Sequence, residues 1–190
     1  MLLVFHKPYA CLSQFTRDGS SHRTLAEFGF PAGVYPLGRL DADSEGLLLL
    51  SNERAINTKL LDPRHAHHRT YWAQIEGIPS TSALQKLENG ILIQHYKTLP
   101  AKVWLLDPQP SFPARVPPIR VRKTIPDCWI GIELIEGKNR QVRHMTAAIG
   151  HPTLRLLRVS IGKFKLGDLR SGIWRELNRE ERMLVMETQE

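Results

Sequence analysis

This chain lacks several things, and each lack narrows what it can be. Only two of its 190 residues are cysteines, Cys11 and Cys128, too few for a disulfide framework. Both lie in apolar surroundings, where reduced, buried thiols are expected and one long-range disulfide is the alternative. No apolar run approaches the roughly 18 residues of a membrane span, and the opening MLLVFHKP has neither the basic start nor the length of a signal peptide. A soluble, cytoplasmic chain is therefore expected. Repeats and low-complexity tracts are missing too, so 190 residues suit one domain, or two small lobes sharing a core. At that length roughly 70% of the unfolded surface can be buried without covalent staples.

What the chain does have is positive charge, unevenly placed. Residues 115–175 hold 13 Lys or Arg against 4 Asp or Glu, a local +9 within a net +7, which leaves the rest at −2. Nine of those 13 are arginine, the residue of bidentate phosphate recognition, so a surface meeting nucleic acid is favoured over a merely solvated face.

Periodicity gives the organisation. LLVFH (2–6) reads as a strand, TLAEF (24–28) as a short helix, and GLLLLS (46–51) as a strand buried on both faces. RAINTKLLD (54–62) is a helix that Pro63 ends. TYWAQIEG (70–77) is a strand with Tyr71, Ala73 and Ile75 on one face and Trp72, Gln74 and Glu76 on the other. Ser80 caps a helix closed by Gly90. Strands are expected at 99–106, 128–136 and 153–162, and a helix after the turn at 136–140, closed by Gly150. Residues 108–126 carry six prolines in 19 positions, which marks a basic loop rather than a sheet interior. Residues 178–190 read as a polar, partly helical tail. Strands and helices without strict alternation indicate an α+β fold.

Three carboxylates, Asp41, Asp43 and Glu45, stand just before four leucines. As an EF-hand loop the stretch fails at its twelfth position, which is Asn52, and a strand follows instead of a helix. A magnesium site for phosphoryl transfer would want further carboxylates and a phosphate-cradling glycine loop, and neither is present. The histidines at 65, 67 and 68 lack structural-zinc spacing, and a basic loop touching RNA is favoured for them. Without further information, Asp41, Asp43 and Ser44 simply solvate a turn.

The residues Gly38-Arg39-Leu40-Asp41, followed by Asp43-Ser44-Glu45-Gly46-Leu47-Leu48, resemble the signature of the RNA pseudouridine synthases. The version here looks like the branch typified by ribosomal small-subunit pseudouridine synthase A. Lys7-Pro8, the Tyr71 strand, EGKNRQVRHM (136–145) and RLLRVSIG (155–162) agree in order and approximate spacing. The -GIP- after the Tyr71 strand, PPIRVRKTIP and HPTLRLLR are most similar to members acting on large-subunit rRNA. The resemblance spans about residues 2–177. Ala10 stands where the branch usually has glycine. The basic RNA-binding module that many members carry in front is not expected here.

That resemblance implies a single catalytic domain over 1–190, with two sub-lobes sharing one bent, mostly antiparallel mixed sheet flanked by helices and a central active-site cleft. It also implies an isomerase that converts a uridine of rRNA, expected in 23S RNA, to pseudouridine without cofactor or metal. The partner would be rRNA, naked or in an assembling particle, with no membrane, and the protein a monomer. Asp41 would attack the sugar at C1′ or deprotonate C2′, and Arg143, near a helix start, would keep it charged. Tyr71 would stack on the uracil and help move the C5 proton, and Leu156 would pack against the base. Arg39 would contact phosphate or fill the gap left by the flipped base. Lys7, Arg140, Arg155, Arg158, Arg120, Arg122 and Lys123 would bind RNA, while Asp43 and Glu45 would shape the turn and pair with arginines. A non-catalytic RNA-binding or ribosome-assembly protein on the same scaffold is the alternative, and Asp41→Asn separates the two.

Overall fold

The structure is a computed structural model that describes residues 1–61, 67–119, 122 and 124–187. The chain divides into two compact units, Met1–Arg69 with Leu157–Glu190, and Thr70–Leu156. No helix among the described residues is long and apolar enough to cross a membrane.

In the first unit, β1 (Leu2–Lys7), β2 (Tyr35–Pro36), β3 (Glu45–Ser51) and α1 (Arg54–Leu61) come first in the chain. Every residue of β3 is buried, because its alternating leucines meet apolar partners on both faces. Leu47 and Leu49 join Leu2, Val4, Ile56 and Leu60 in one cluster. On the other side, Phe5 packs against Phe28 and Phe30 with ring centroids 4.8 and 5.1 Å apart. Leu47, Leu48, Leu49 and Leu50 are at most 1% exposed, and each contributes about 2 kcal/mol of apolar burial. The strand is a rigid base for whatever precedes it.

The second unit contains β4 (Arg69–Glu76, whose first residue still belongs to the first unit), α2 (Thr81–Glu88), β5 (Leu92–Ile93), β6 (Tyr96–Lys97), β7 (Lys102–Leu105), β8 (Asp127–Leu134) and α3 (Gln141–Ala148). β9 (Thr153–Ile161) carries the chain back into the first unit, which ends with β10 (Phe164–Lys165), β11 (Trp174–Glu176) and α4 (Arg179–Met186). Strand order is β11-β1-β3-β9 in the first unit and β4-β8-β7 in the second. The β1/β11, β1/β3 and β7/β8 pairs are antiparallel, and the β3/β9 pair is parallel. This is an α+β, mostly antiparallel arrangement. In the second unit Ala73, Ile75, Ile130, Ile132, Val142 and Met145 form the core, with Tyr71 packed against it.

Several local expectations hold: Ser80 accepts a hydrogen bond from Ala83 N at 3.2 Å as the α2 cap, and Gly90 and Gly150 follow helix ends with φ of +81° and +85°. Pro63 lies outside the described residues. The two- and three-residue strands β2, β5, β6, β10 and β11 are unforeseen, since elements that short leave no period to read. Residues 178–187 are no mere tail. Asn178 and Glu181 form a capping box, α4 follows, and Val185 is 0% exposed in the first unit's core. Arg182 also pairs with Glu53 at 2.7 Å.

Candidate active site

Asp41 sits in the turn that delivers the chain into β3. Both backbone groups of Leu40 are taken by one hydroxyl: Leu40 N donates to Ser13 Oγ at 3.0 Å, and Ser13 Oγ donates to Leu40 O at 2.7 Å. Ser44 N then donates to Asp41 O at 3.0 Å and closes the turn. Asp41 is half-buried, between the buried Leu40 and the buried Ser44. Glu45 is not part of the turn as expected; it is the first residue of β3 and 4% exposed.

Lys7 corrects the sequence reading most sharply. Expected to bind RNA, it is 0% exposed. Its Nζ donates to Pro8 O at 2.9 Å, Cys11 O at 2.6 Å and Ala42 O at 3.5 Å, the last within the Asp41 turn. Burial pushes its ammonium down to about 8, while Cys11 and the carboxylates of Glu45, Asp43 and Asp41 pull the other way. A cation this deep holds backbone carbonyls in place rather than phosphates. Ala10, where the resemblance expects glycine, has φ of +55°, a left-handed conformation that costs an alanine about 1 kcal/mol. Arg39 is exposed and lies beyond β2, after Gly38 with φ of +76°. Arg39 is not in a strand, so strand alternation does not set its side chain on the side of Asp41.

Arg158 is the second correction. It is 3% exposed, and its Nε donates to Leu47 O at 2.8 Å inside the first unit. It holds the parallel β3/β9 contact, whose register pairs Gly46 with Arg158. Gly46 has φ of +102°, and a Cβ there would lie 2.3 Å from Arg158 O, so only glycine fits. Arg158 is thus a structural cation, out of reach of an RNA backbone.

In the second unit, Leu156 is 5% exposed and shares its cluster with Tyr71. Arg143 lies in the first turn of α3, where Nη1 donates to Thr153 O at 3.2 Å. Val142 and Met145 face the core, while Arg143 and His144 are only partly covered. The start of α3 is braced by Glu136, which accepts from Gln141 Nε2 at 2.5 Å and Leu99 N at 2.9 Å, and also from the Tyr96 hydroxyl. Arg140 precedes the helix with φ of +50° and is exposed. Arg155 donates to Pro113 O at 2.9 Å, and the exposed Arg122 pairs with Glu76 at 2.6 Å. Arg120, Lys123 and His65 lie outside the described residues. His67 is 5% exposed, which removes it from any RNA-contacting loop.

Asp41, Arg39, Lys7 and Arg158 belong to the first unit, and Tyr71, Arg140, Arg143, Arg155, Arg122 and Leu156 to the second. Lys7 and the Asp41 turn are brought together, as are Tyr71 and Leu156. Ser13 and the carbonyl cradle at Pro8 and Cys11 are unforeseen. A hydroxyl in a polar loop carries no sequence signal for a partner 27 positions away.

The chain belongs to the RNA pseudouridylate synthase family, whose model matches residues 1–148. Among curated relatives it is 53% identical to "Ribosomal large subunit pseudouridine synthase E" of Xanthomonas campestris pv. campestris, over 92% of this chain and 94% of that protein. It is 48% identical to the protein of the same name from Vibrio parahaemolyticus, over 93% of this chain and 73% of that one. A solved structure described as "Crystal structure of pseudouridylate synthase" superposes with a TM-score of 0.79 at 25% identity, covering 97% of this chain and 73% of the other. The protein therefore has the pseudouridine synthase fold.

Proposed function

We propose that the protein isomerises one uridine of 23S rRNA to pseudouridine, with Asp41 as the residue that acts on the ribose. The observation that carries this is the Asp41 turn, fixed by Ser13, by the buried Lys7 ammonium and by its own Ser44 hydrogen bond. Such fixation holds a reacting group within the narrow geometry that catalysis needs. The names of the Xanthomonas and Vibrio relatives support the large-subunit substrate.

The isomerisation breaks the N1–C1′ bond, turns the uracil and forms the C5–C1′ bond. The C5 hydrogen leaves as a proton, and N1 gains one, so the reaction is redox-neutral. Asp41 acts either at C1′ as a nucleophile or at C2′ as a base. Arg143 holds its carboxylate charged against the desolvation that a bound nucleotide imposes. Tyr71 stacks on the uracil and helps pass the C5 proton, and Leu156 packs against the base. Arg39, Arg140, Arg155 and Arg122 contact the RNA backbone, and Arg39 enters the space left by the flipped base. The protein works as a cytoplasmic monomer that meets rRNA directly.

Tritium release from 23S rRNA labelled at uracil C5 measures the reaction. Asp41→Asn should lower turnover by more than roughly 10³-fold while RNA affinity stays within a few fold. Wild-type release by this variant would remove Asp41 from the chemistry; absence of release from the wild-type protein would favour a non-catalytic RNA-binding role.

A further inference from the structure

Three successive carbonyls at the candidate carboxylate are each taken by a different donor. Leu40 O accepts from Ser13 Oγ at 2.7 Å, Asp41 O from Ser44 N at 3.0 Å, and Ala42 O from Lys7 Nζ at 3.5 Å. The three holds are unequal. The Ser44 bond is the turn's own, and the Lys7 contact is at the outer limit of a hydrogen bond. Ser13 makes the short one, and the same oxygen also accepts from Leu40 N at 3.0 Å. One hydroxyl therefore fixes both peptide planes of Leu40, the one shared with Arg39 and the one shared with Asp41. The direction in which Asp41 leaves the chain is set by that hydroxyl.

Ser13 is itself held in place. It is 5% exposed, and its neighbours in sequence are pinned to the segment around Arg23. Leu12 N donates to Arg23 O at 2.8 Å, Leu25 N donates to Gln14 O at 2.9 Å, and Cys11 forms a parallel bridge with Arg23. Cys11 O also accepts from Lys7 Nζ at 2.6 Å. Leu40 is 7% exposed, so its N–H and C=O are shielded from the water that would otherwise replace the hydroxyl. Ser13, Leu40 and Asp41 all belong to the first unit.

We propose that Ser13 is a positioning residue for the isomerisation, its hydroxyl fixing the backbone from which the Asp41 carboxylate reaches the ribose. It touches no reacting atom, and the proposal rests on the reading of Asp41 as the residue that acts on the ribose. An aspartate side chain is short, so a shift of its backbone carries the carboxylate with it, and a misplacement of about 1 Å can cost roughly 10²-fold in rate. Arg39, on the other side of Leu40, is exposed, and its long side chain has the rotamer freedom to follow a phosphate through the same shift. Loss of the clamp therefore falls on turnover and spares affinity.

The test is single-turnover tritium release from transcribed 23S rRNA labelled at uracil C5, with enzyme saturating and the rate divided by the folded fraction. Ser13→Ala should release tritium about 10–100-fold more slowly, with Kd for the RNA within about threefold of wild type. Ser13→Thr, which keeps the hydroxyl, should recover most of the rate. Ser13→Cys fills the site but bonds weakly; it should slow release about fivefold, and it serves if Ser13→Ala does not fold. A merely structural serine would lower the folded fraction and leave the rate per folded molecule at the wild-type value, and that result would overturn the proposal. So would an equal loss of rate and affinity. Wild-type release by Asp41→Asn would sink the role of Asp41 and this proposal with it. An inactive Asp41→Asn beside a folded, fully active Ser13→Ala would leave the role of Asp41 standing and sink the positioning role alone.

Discussion

Two groups of cations that look alike in the sequence meet opposite fates in the two units. Lys7 and Arg158 of the first unit are 0% and 3% exposed and bind carbonyls around the Asp41 turn and β3. Arg122 of the second unit is exposed, and Arg115 and Arg155 are partly so, around an aromatic sheet face. The difference lies in what the backbone nearby leaves unmet. A turn running into a buried strand exposes carbonyls to a dry environment, and a buried donor that satisfies them is worth more than one left in water. The proline-rich segment over the sheet face is on the surface, so Arg155 and Arg115 donate to its Pro113 and Pro117 carbonyls at 2.9 Å and still stay partly exposed.

That contrast can be broken in steps. The largest effect concerns Lys7. Its folded ammonium titrates at about 8 against 10.5 when free, so between those values the unfolded chain holds more protons. Stability then rises with pH across that window, and the cost of the buried charge is fully present below it. Relative to Lys7→Met, the wild-type protein should gain roughly 2–3 kcal/mol between about pH 7 and about pH 10 in denaturant titrations; a flat difference would mean Lys7 is not buried as a cation. Arg158→Met should cost about 2 kcal/mol of stability by stranding Leu47 O, with RNA affinity per folded molecule unchanged. Weaker RNA binding by that folded variant would place Arg158 with the surface group after all. Ala10→Gly, in the loop that cradles Lys7, should raise stability by about 1 kcal/mol, since it relieves a left-handed alanine. The smallest effect belongs to the surface group: Arg122→Gln should change stability by less than about 0.5 kcal/mol, yet flatten the dependence of log Kd on log salt by about one unit.

Local rules were legible wherever a residue answers to its neighbours in sequence. The all-buried strand followed from four successive leucines, the α2 cap from Ser80, and the helix ends from Gly90 and Gly150. Family membership was legible too, because the residues from Gly38 to Leu48 form a spaced pattern in one short stretch of chain, and the family model matches residues 1–148. Docking of α4 was harder to see: only Val185 is fully buried on a helix otherwise rich in charge. Polarity on the outer turns masked its apolar anchor, Val185 with Met186 packed beside it.

The α+β class, the placement of the main strands and helices, the family, and the singling out of Asp41 among the three carboxylates are all written along the chain. These depend on periods, caps and short motifs, all of them local in the chain. Folding alone makes Lys7 and Arg158 internal struts, sets Ser13 to clamp the residue before Asp41, and brings Phe112 between Trp72 and Trp129. A side chain's partner across tens of residues is set by strand register and by which carbonyls lose their water, and neither is written in the residue's own neighbourhood.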